Sequence, residues 1–397
     1  MILLALILIA IPTALGLYAY VGYPLILRLL AAGRPVPRPA ADPLEWPLIT
    51  ISLPAYNEER SIRGTLEALL ALDYPADRRQ ILVISDASTD GTDAIVREFA
   101  PQGVDLVRLP NRAGKTAAEN AAARHFRGEI VVNTDATIRI PASSLKPLIR
   151  VFQDSTIGVA SGRDISVGRA EVETNRGESR YVGYEMEIRR LETRVGSIVG
   201  ASGCFYAIRR PLVTDLFPEA LSRDFASPLR AREAGYRTVS VDEAICYVPR
   251  TVSIRSEFHR KVRTMARGLE TLWYKRALMN PRVYRGFAWM LFSHKLCRWL
   301  VHLTLPLALL GLVLLALVNQ LALALLGVTL VGTALGCLAL LRWPEGRAMP
   351  FPVALCGFAV AVNLAALLAW TKALRGERNP IWEPTRRPET VGARTAP

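Results

Sequence analysis

The chain has 397 residues, 51% of them hydrophobic, and a formal net charge of +14. That length predicts two or three domains, and the crowding of apolar residues into long runs argues against a wholly soluble chain. The positive charge invites a nucleic-acid reading, but bases and acids are intermixed and no nucleic-acid module is present, so nucleic acid is excluded as a partner.

Residues 1–27 carry no charge and are long enough to span a bilayer with tilt. This run lacks a basic leader and a clear cleavage site, so it reads as an anchor rather than a removed signal. Arg28, Arg34 and Arg38 follow it directly. By the positive-inside rule the next segment is cytoplasmic and the N-terminus lies outside. A second charge-free run, 299–341, would measure roughly 65 Å as helix, about twice the bilayer core. Asn319-Gln320 near its middle predicts a hairpin turn between two spans. Residues 348–371 form a third run. One N-terminal and three C-terminal spans would leave the tail outside, yet Lys372, Arg375, Arg378, Arg386 and Arg387 prefer the cytoplasm. Either one run does not fully cross, or the tail breaks the rule. The cysteines (Cys204, Cys246, Cys297, Cys337, Cys356) form no CxxC pair and read as reduced and structural.

After the first span, Pro35, Pro37, Pro39 and Pro43 make a stiff linker. Buried strands are then predicted over 48–53, 80–85, 104–109 and 129–134, with helices over 61–72, 93–99 and 114–126 between them. This βα alternation predicts an α/β fold with a doubly wound, mostly parallel sheet. Such sheets bind ligands beyond the carboxyl ends of their strands. Three strand ends converge there: Tyr56-Asn57-Glu58, Asp86 and Asp135. A strand-end Asp also serves as a turn or helix-cap residue, but at this rim it can hold a metal ion and, through it, a phosphate. Further on, 157–163 and 237–241 read as strands, 171–194 as a charged helix, and 200–208 as a glycine turn entering a strand. Ser222 opens a helix as a candidate N-cap. Residues 253–274 and 287–300 read as basic amphipathic helices suited to a membrane surface.

The ordered motifs Pro54-Ala55-Tyr56-Asn57-Glu58-Glu59, Asp86-Ala87-Ser88-Thr89-Asp90-Gly91-Thr92, Gly114-Lys115, Thr134-Asp135-Ala136, Gly200-Ala201-Ser202-Gly203 and Arg223-Asp224, with an Arg-rich helix near 260–268, resemble those of membrane-bound family 2 glycosyltransferases. That group includes chitin, hyaluronan and bacterial exopolysaccharide synthases. The resemblance implies a GT-A type fold, a nucleotide-sugar donor and inverting transfer. It implies a cytoplasmic glycosyltransferase domain over 44–250, with a nucleotide-binding half (44–140) and an acceptor half (141–250). Around it lie an N-terminal transmembrane helix (1–32), interface helices (251–299), C-terminal transmembrane helices (300–374) and a polar tail (375–397).

By the same resemblance Pro54, Tyr56, Glu58, Asp86, Lys115, Thr134 and Asp135 bind the donor, with Asp86 at the nucleoside and Lys115 near the nucleotide or phosphates. Asp135 holds Mg²⁺ or Mn²⁺. Ser202, Gly203 and Arg223 meet the acceptor. Asp224 is the base that takes the acceptor's hydroxyl proton, its plain alternative being a helix cap. Arg263 stabilises the departing diphosphate.

Three positions depart from the family pattern. Thr137 stands where a second metal-binding Asp is usual, Arg223 where Glu is usual before the base, and Arg260-Lys261-Val262-Arg263-Thr264 where Gln-x-x-Arg-Trp marks processive enzymes. The missing Trp favours addition of one or few sugars. The expected enzyme is a multi-pass protein of the inner (plasma) membrane. It transfers a sugar from a UDP- or GDP-sugar to a lipid-linked or glycan acceptor at the cytoplasmic face, in contact with membrane lipids, for cell-surface glycan or exopolysaccharide synthesis. A processive synthase coupled to secretion and a catalytically inactive assembly subunit are the rival expectations.

Overall fold

A computed structural model describes residues 1–35, 41–167, 176–249, 254–344 and 349–377. Most of the proline linker, the start of the helix expected over 171–194 and nearly all of the polar tail lie outside the described residues. In chain order the main elements are α1 (Ile2–Ala32), β1 (Ile49–Ala55), α2 (Ile62–Leu70), β2 (Arg79–Ser85), α3 (Thr92–Glu98), β3 (Val104–Arg108), α4 (Lys115–Ala122) and β4 (Ile130–Thr134). They continue with α5 (Leu145–Arg150), β5 (Ile157–Val167), α6 (Arg176–Val195), β6 (Phe205–Arg209), α7 (Arg223–Glu233), β7 (Arg237–Pro249) and α8 (Ile254–Tyr274). Last come α9 (Gly286–Ala316), α10 (Gln320–Arg342) and α11 (Phe351–Leu374). The chain divides into two units.

The first unit holds a seven-stranded sheet in the order β3-β2-β1-β4-β6-β5-β7. β3, β2, β1 and β4 are parallel, as the βα alternation predicts. β6 runs antiparallel to both β4 and β5, so the sheet is mixed. β7 is longer than the 237–241 expected, because polar residues such as Asp242 and Glu243 interrupt its apolar pattern while the backbone pairing with β5 continues.

Alternating side chains of the central strands feed two cores. Ile49, Ile51, Leu53, Ile81 and Val83 pack with Ile62, Leu66 and Leu69 of α2 and Leu145 and Leu148 of α5. Leu82, Ile84 and Val131 pack on the opposite face with Ala118 and Ala122 of α4 and Ala226 of α7. Coverage on both faces is why these strands read as unbroken apolar runs. In register, Ala55 pairs with Ser85 and Ser52 with Asn133, so β1, β2 and β4 end at one rim.

The second unit gathers residues 1–35, 169–199 and 252–378. The expected 44–250 domain is therefore interrupted: α6 belongs with the long helices. The physical reason is its buried charge. The Glu192 carboxylate, fully buried, accepts from Tyr23 Oη at 2.5 Å and from the Val199 amide at 3.3 Å, and lies 2.7 Å from His294 Nδ1. His294 Nε2 lies 3.0 Å from Glu185 Oε1, and Arg298 donates to Glu185 Oε2 at 2.9 Å. The side-chain partners come from α1 and α9.

Among the described residues, α1, α9, α10 and α11 are long and apolar enough to cross a membrane. The segment expected to end at 300 as an interface helix is continuous with the span after it, through one wide turn over Phe292–Cys297. The hairpin turn falls at 317–319, where the Asn319 side chain caps α10 by accepting from the Ala322 amide at 2.9 Å.

Candidate active site

The rim of the sheet is first braced by its own polar side chains. Asn57, in the left-handed region at φ 53°, accepts from the Thr89 amide through Oδ1 at 2.8 Å. The Glu58 amide donates to Thr92 Oγ1 at 2.8 Å, and Glu58 Oε2 accepts from Ser61 at 2.6 Å. Glu59 and Asp90 each bind the other loop's backbone. These residues tie the end of β1 to the loop after β2.

Asp86 is 2% exposed. Its Oδ1 accepts from the Ala113 amide at 2.7 Å and its Oδ2 from the Gly114 amide at 2.9 Å. Its carboxylate, expected at the nucleoside, holds the loop that opens α4. Gly114 has φ 94°, a conformation a side chain would strain, and the next residue is Lys115.

Lys115 Nζ lies 2.5 Å from Asp135 Oδ1 and 3.3 Å from the Gly203 carbonyl oxygen. Burial alone would lower the Lys115 pKa, but Asp135 and then Glu119 raise it well above the usual lysine range. Gly203 is tight as well: a Cβ there would stand 3.2 Å from Asp224 Oδ2. Asp224, in the first turn of α7, accepts from Ser222 Oγ through Oδ1 at 2.6 Å. Asp135, Lys115, Gly203 and Asp224 thus form one connected line.

Beneath it lies a pair that the motifs did not reveal. Glu119 on α4 is fully buried, and its Oε2 is 3.3 Å from Arg223 Nε. Burial raises the Glu119 carboxyl, while Arg223 and Lys115 pull it back. Arg223 also donates to Asn120 Oδ1 at 3.1 Å and is 4% exposed. Expected at the acceptor, Arg223 faces inward and joins α4 to α7. The signal was present as Glu119-Asn120 inside an Ala-rich helix, where a buried acid needs a partner.

Ser202, also expected at the acceptor, is fully buried. Its Oγ accepts from the Phe205 amide at 3.0 Å and donates to Asp164 Oδ1 at 2.5 Å, so it shapes the Gly-rich loop. Pro54 and Thr134 are buried within β1 and β4 and shape the rim from inside. Tyr56 is partly exposed, and the Arg112 guanidinium stacks over its ring at 3.9 Å. Arg112 is a second residue the motifs missed. Together they make a flat, cationic platform suited to a nucleoside. Arg263 lies on α8, in the other unit.

Among the described residues no three His, Cys, Asp or Glu side chains gather into a metal cluster. Asp135 with Thr137 in place of a second Asp offers one carboxylate. That fits an ion held jointly by protein, water and a substrate's phosphate oxygens, as Mg²⁺ commonly is, and not a site built from protein alone.

Residues 50–217 match the family model for Glycosyl transferase family 2. An N-acetylglucosaminyltransferase of Mesorhizobium japonicum is 28% identical over 224 residues, 52% of each chain. A poly-β-1,6-N-acetyl-D-glucosamine synthase of Staphylococcus aureus is 24% identical over 229 residues, 56% of this chain and 55% of its own. The chain spans about half the length of these curated relatives. The solved structure of a Pyrobaculum calidifontis mannosyltransferase, in complex with GDP-Man and Mn²⁺, superposes with a TM-score of 0.71 at 25% identity, covering 94% of this chain and all of that one. With the mixed sheet and its convergent rim, these likenesses identify residues 50–217 as a family 2 glycosyltransferase domain with the GT-A fold.

Proposed function

We propose that the protein is an inverting membrane glycosyltransferase that moves one sugar, or few, from a UDP- or GDP-sugar to a lipid-linked or glycan acceptor at the cytoplasmic face of the plasma membrane. The observation that carries this reading is the line from Asp135 through Lys115 and Gly203 to Asp224 at the carboxyl ends of the strands. In this reading the nucleoside stacks at Tyr56 and Arg112. The diphosphate enters beside Lys115, whose ammonium leaves Asp135 and balances charge on the leaving group. Asp135 would hold Mg²⁺ or Mn²⁺, which would neutralise the departing nucleotide diphosphate. Asp224 takes the proton from the acceptor hydroxyl as that oxygen attacks the sugar carbon, with the nucleotide leaving from the opposite side. Arg263 is proposed to stabilise the diphosphate. Ser202, Gly203 and Arg223 then act on the acceptor side mainly by holding the loop and Asp224 in place.

The mannosyltransferase structure with GDP-Man and Mn²⁺ supports a nucleotide-sugar donor and a divalent ion. The test is a panel of nucleotide sugars offered to the purified full-length protein with Mn²⁺ or Mg²⁺, reading released nucleotide and product length. Turnover with one donor, abolished by Asp224→Asn, is expected. No turnover across the panel would overturn the reading. Long polymer would favour a processive synthase, the activity named in the staphylococcal relative.

A further inference from the structure

We propose that α11, apolar as it is, does not cross the bilayer. It lies beside α8 in the headgroup boundary of one leaflet and leaves Glu377 on the side from which α9 entered. α9 and α10 are joined by a tight turn at 317–319 and form an antiparallel hairpin. Equal rises away from that turn put Trp299 level with about residue 337, and His302 level with about residue 334.

The first half of α11 packs on the end of α10. A Cβ at Gly336 would meet Val360 Cγ2 at 2.5 Å and the Cys356 carbonyl oxygen at 2.6 Å. The second half packs on the start of α9. His302 Nδ1 lies 2.7 Å from Asn363 Oδ1, and Trp370 Nε1 donates to the Trp299 carbonyl at 3.1 Å. If α11 ran along α10 from the Gly336 contact, residue 370 would lie about 20 Å further towards the turn. Instead it lies at the same end of the hairpin. The stretch between the two contacts is about 10 Å of helix, the spacing of two packed helices. α11 therefore packs on the end of α10 and reaches the start of α9, and both contacts stand at the same end of the hairpin.

Three further observations agree. Leu323, Leu325, Val328, Leu330 and Val331 of α10 are exposed, as they would not be under a parallel neighbour. α8 keeps to the same level: Arg255 Nε donates to the Leu340 carbonyl at 3.1 Å, Lys261 Nζ lies 5.5 Å from the Phe358 ring, and Trp299 packs against Gly268. Trp299, Trp343 and Trp370 all fall at this end, the interfacial belt expected where a bilayer meets water. Leu364 and Leu368, one turn apart on the same face of α11, are exposed and face the acyl chains in this arrangement. The crossings are then α1, α9 and α10. Lys372 and Arg375 fall on the same side as Arg28 and Arg34, in keeping with the positive-inside rule.

The experiment uses the full chain in sealed vesicles of one orientation, with a protease-cleavable tag inserted after Glu377, at Leu44 or at Asn319. Cleavage of the Glu377 and Leu44 tags together, with the Asn319 tag protected, is the expected result. Co-protection of the Glu377 and Asn319 tags overturns the proposal. If the insertions disturb folding, spin labels on Val353→Cys, Leu364→Cys and Thr371→Cys, which share one face of α11, measure depth directly. Similar depths support an in-plane helix. Depths that change steadily, by about 27 Å from first to last, overturn it.

Discussion

Asp86 and Asp135 end neighbouring parts of one sheet, and the fold treats them differently. Asp86 is closed off: each oxygen accepts one backbone amide of the same loop. Asp135 is held by a lysine side chain, which has rotatable bonds and can move away. The contrast extends to a second pair of acids. Glu119 is locked inside by Arg223, while Asp224 keeps Oδ2 beside the Gly203 backbone and accepts from Ser222 through Oδ1. Amide-held or buried carboxylates brace the rim, and the proposed chemistry falls to the carboxylates held by side chains.

Neutralising the side-chain-held acids should stop chemistry without loosening the fold. Asp224→Asn is expected to lower turnover by about 10²–10⁴-fold, with the thermal midpoint unchanged; a matching loss of stability would erase the distinction. Neutralising a scaffold acid should do the reverse. Glu119→Gln leaves Arg223 buried without its counter-charge and is expected to cost about 3–5 kcal/mol in denaturant unfolding. Adding Arg223→Met should recover most of that cost, and failure to recover would mean that the pair is not the reason. Asp86→Asn loses one of two charge-assisted acceptors and is expected to cost about 2 kcal/mol, together with weaker donor binding, read by unfolding and by KM.

The lysine lock makes a finer prediction. Lys115→Met should leave Asp135 without its resident cation and tighten Mn²⁺ binding about tenfold, measured by the free-Mn²⁺ signal without donor, while raising KM for the nucleotide sugar. Because Lys115 has a raised pKa, it stays protonated through neutral pH. Its stabilising pairing is fully present below the usual lysine value and is lost only as pH rises through the raised value. Stability between pH 6 and 9 should therefore change equally in wild type and Lys115→Met. The smallest effect belongs to Arg112→Ala, which removes the guanidinium over Tyr56 and should raise donor KM by about two- to fivefold.

The parallel strands were readable because both faces are covered, which writes Ile, Leu and Val without interruption through β1, β2 and β4. Asp135 and Asp224 were readable from ordered motifs. The direction of β6 was not, since an apolar strand looks alike either way along the sheet. Glu119 and Arg223 were hidden because they are far apart in sequence, and a buried ion pair leaves no spacing pattern. Arg223 therefore looked like a departure from the family motif, whereas the fold gives it a buried acid of its own. The path of α11 was hidden for a related reason: an apolar helix has the same composition whether it stands through a bilayer or lies along its edge.

The histidine between two glutamates has a consequence for biogenesis. Both ring nitrogens of His294 face carboxylates, and Lys295 and Arg298 follow it on α9. Two neighbouring cations at the mouth of a membrane segment are poorly tolerated by lipid. Glu185 offsets both, and it is translated about a hundred residues earlier, on α6. The counter-charge is therefore already made when the hairpin of α9 and α10 emerges, and synthesis order itself supplies the acid before the base arrives.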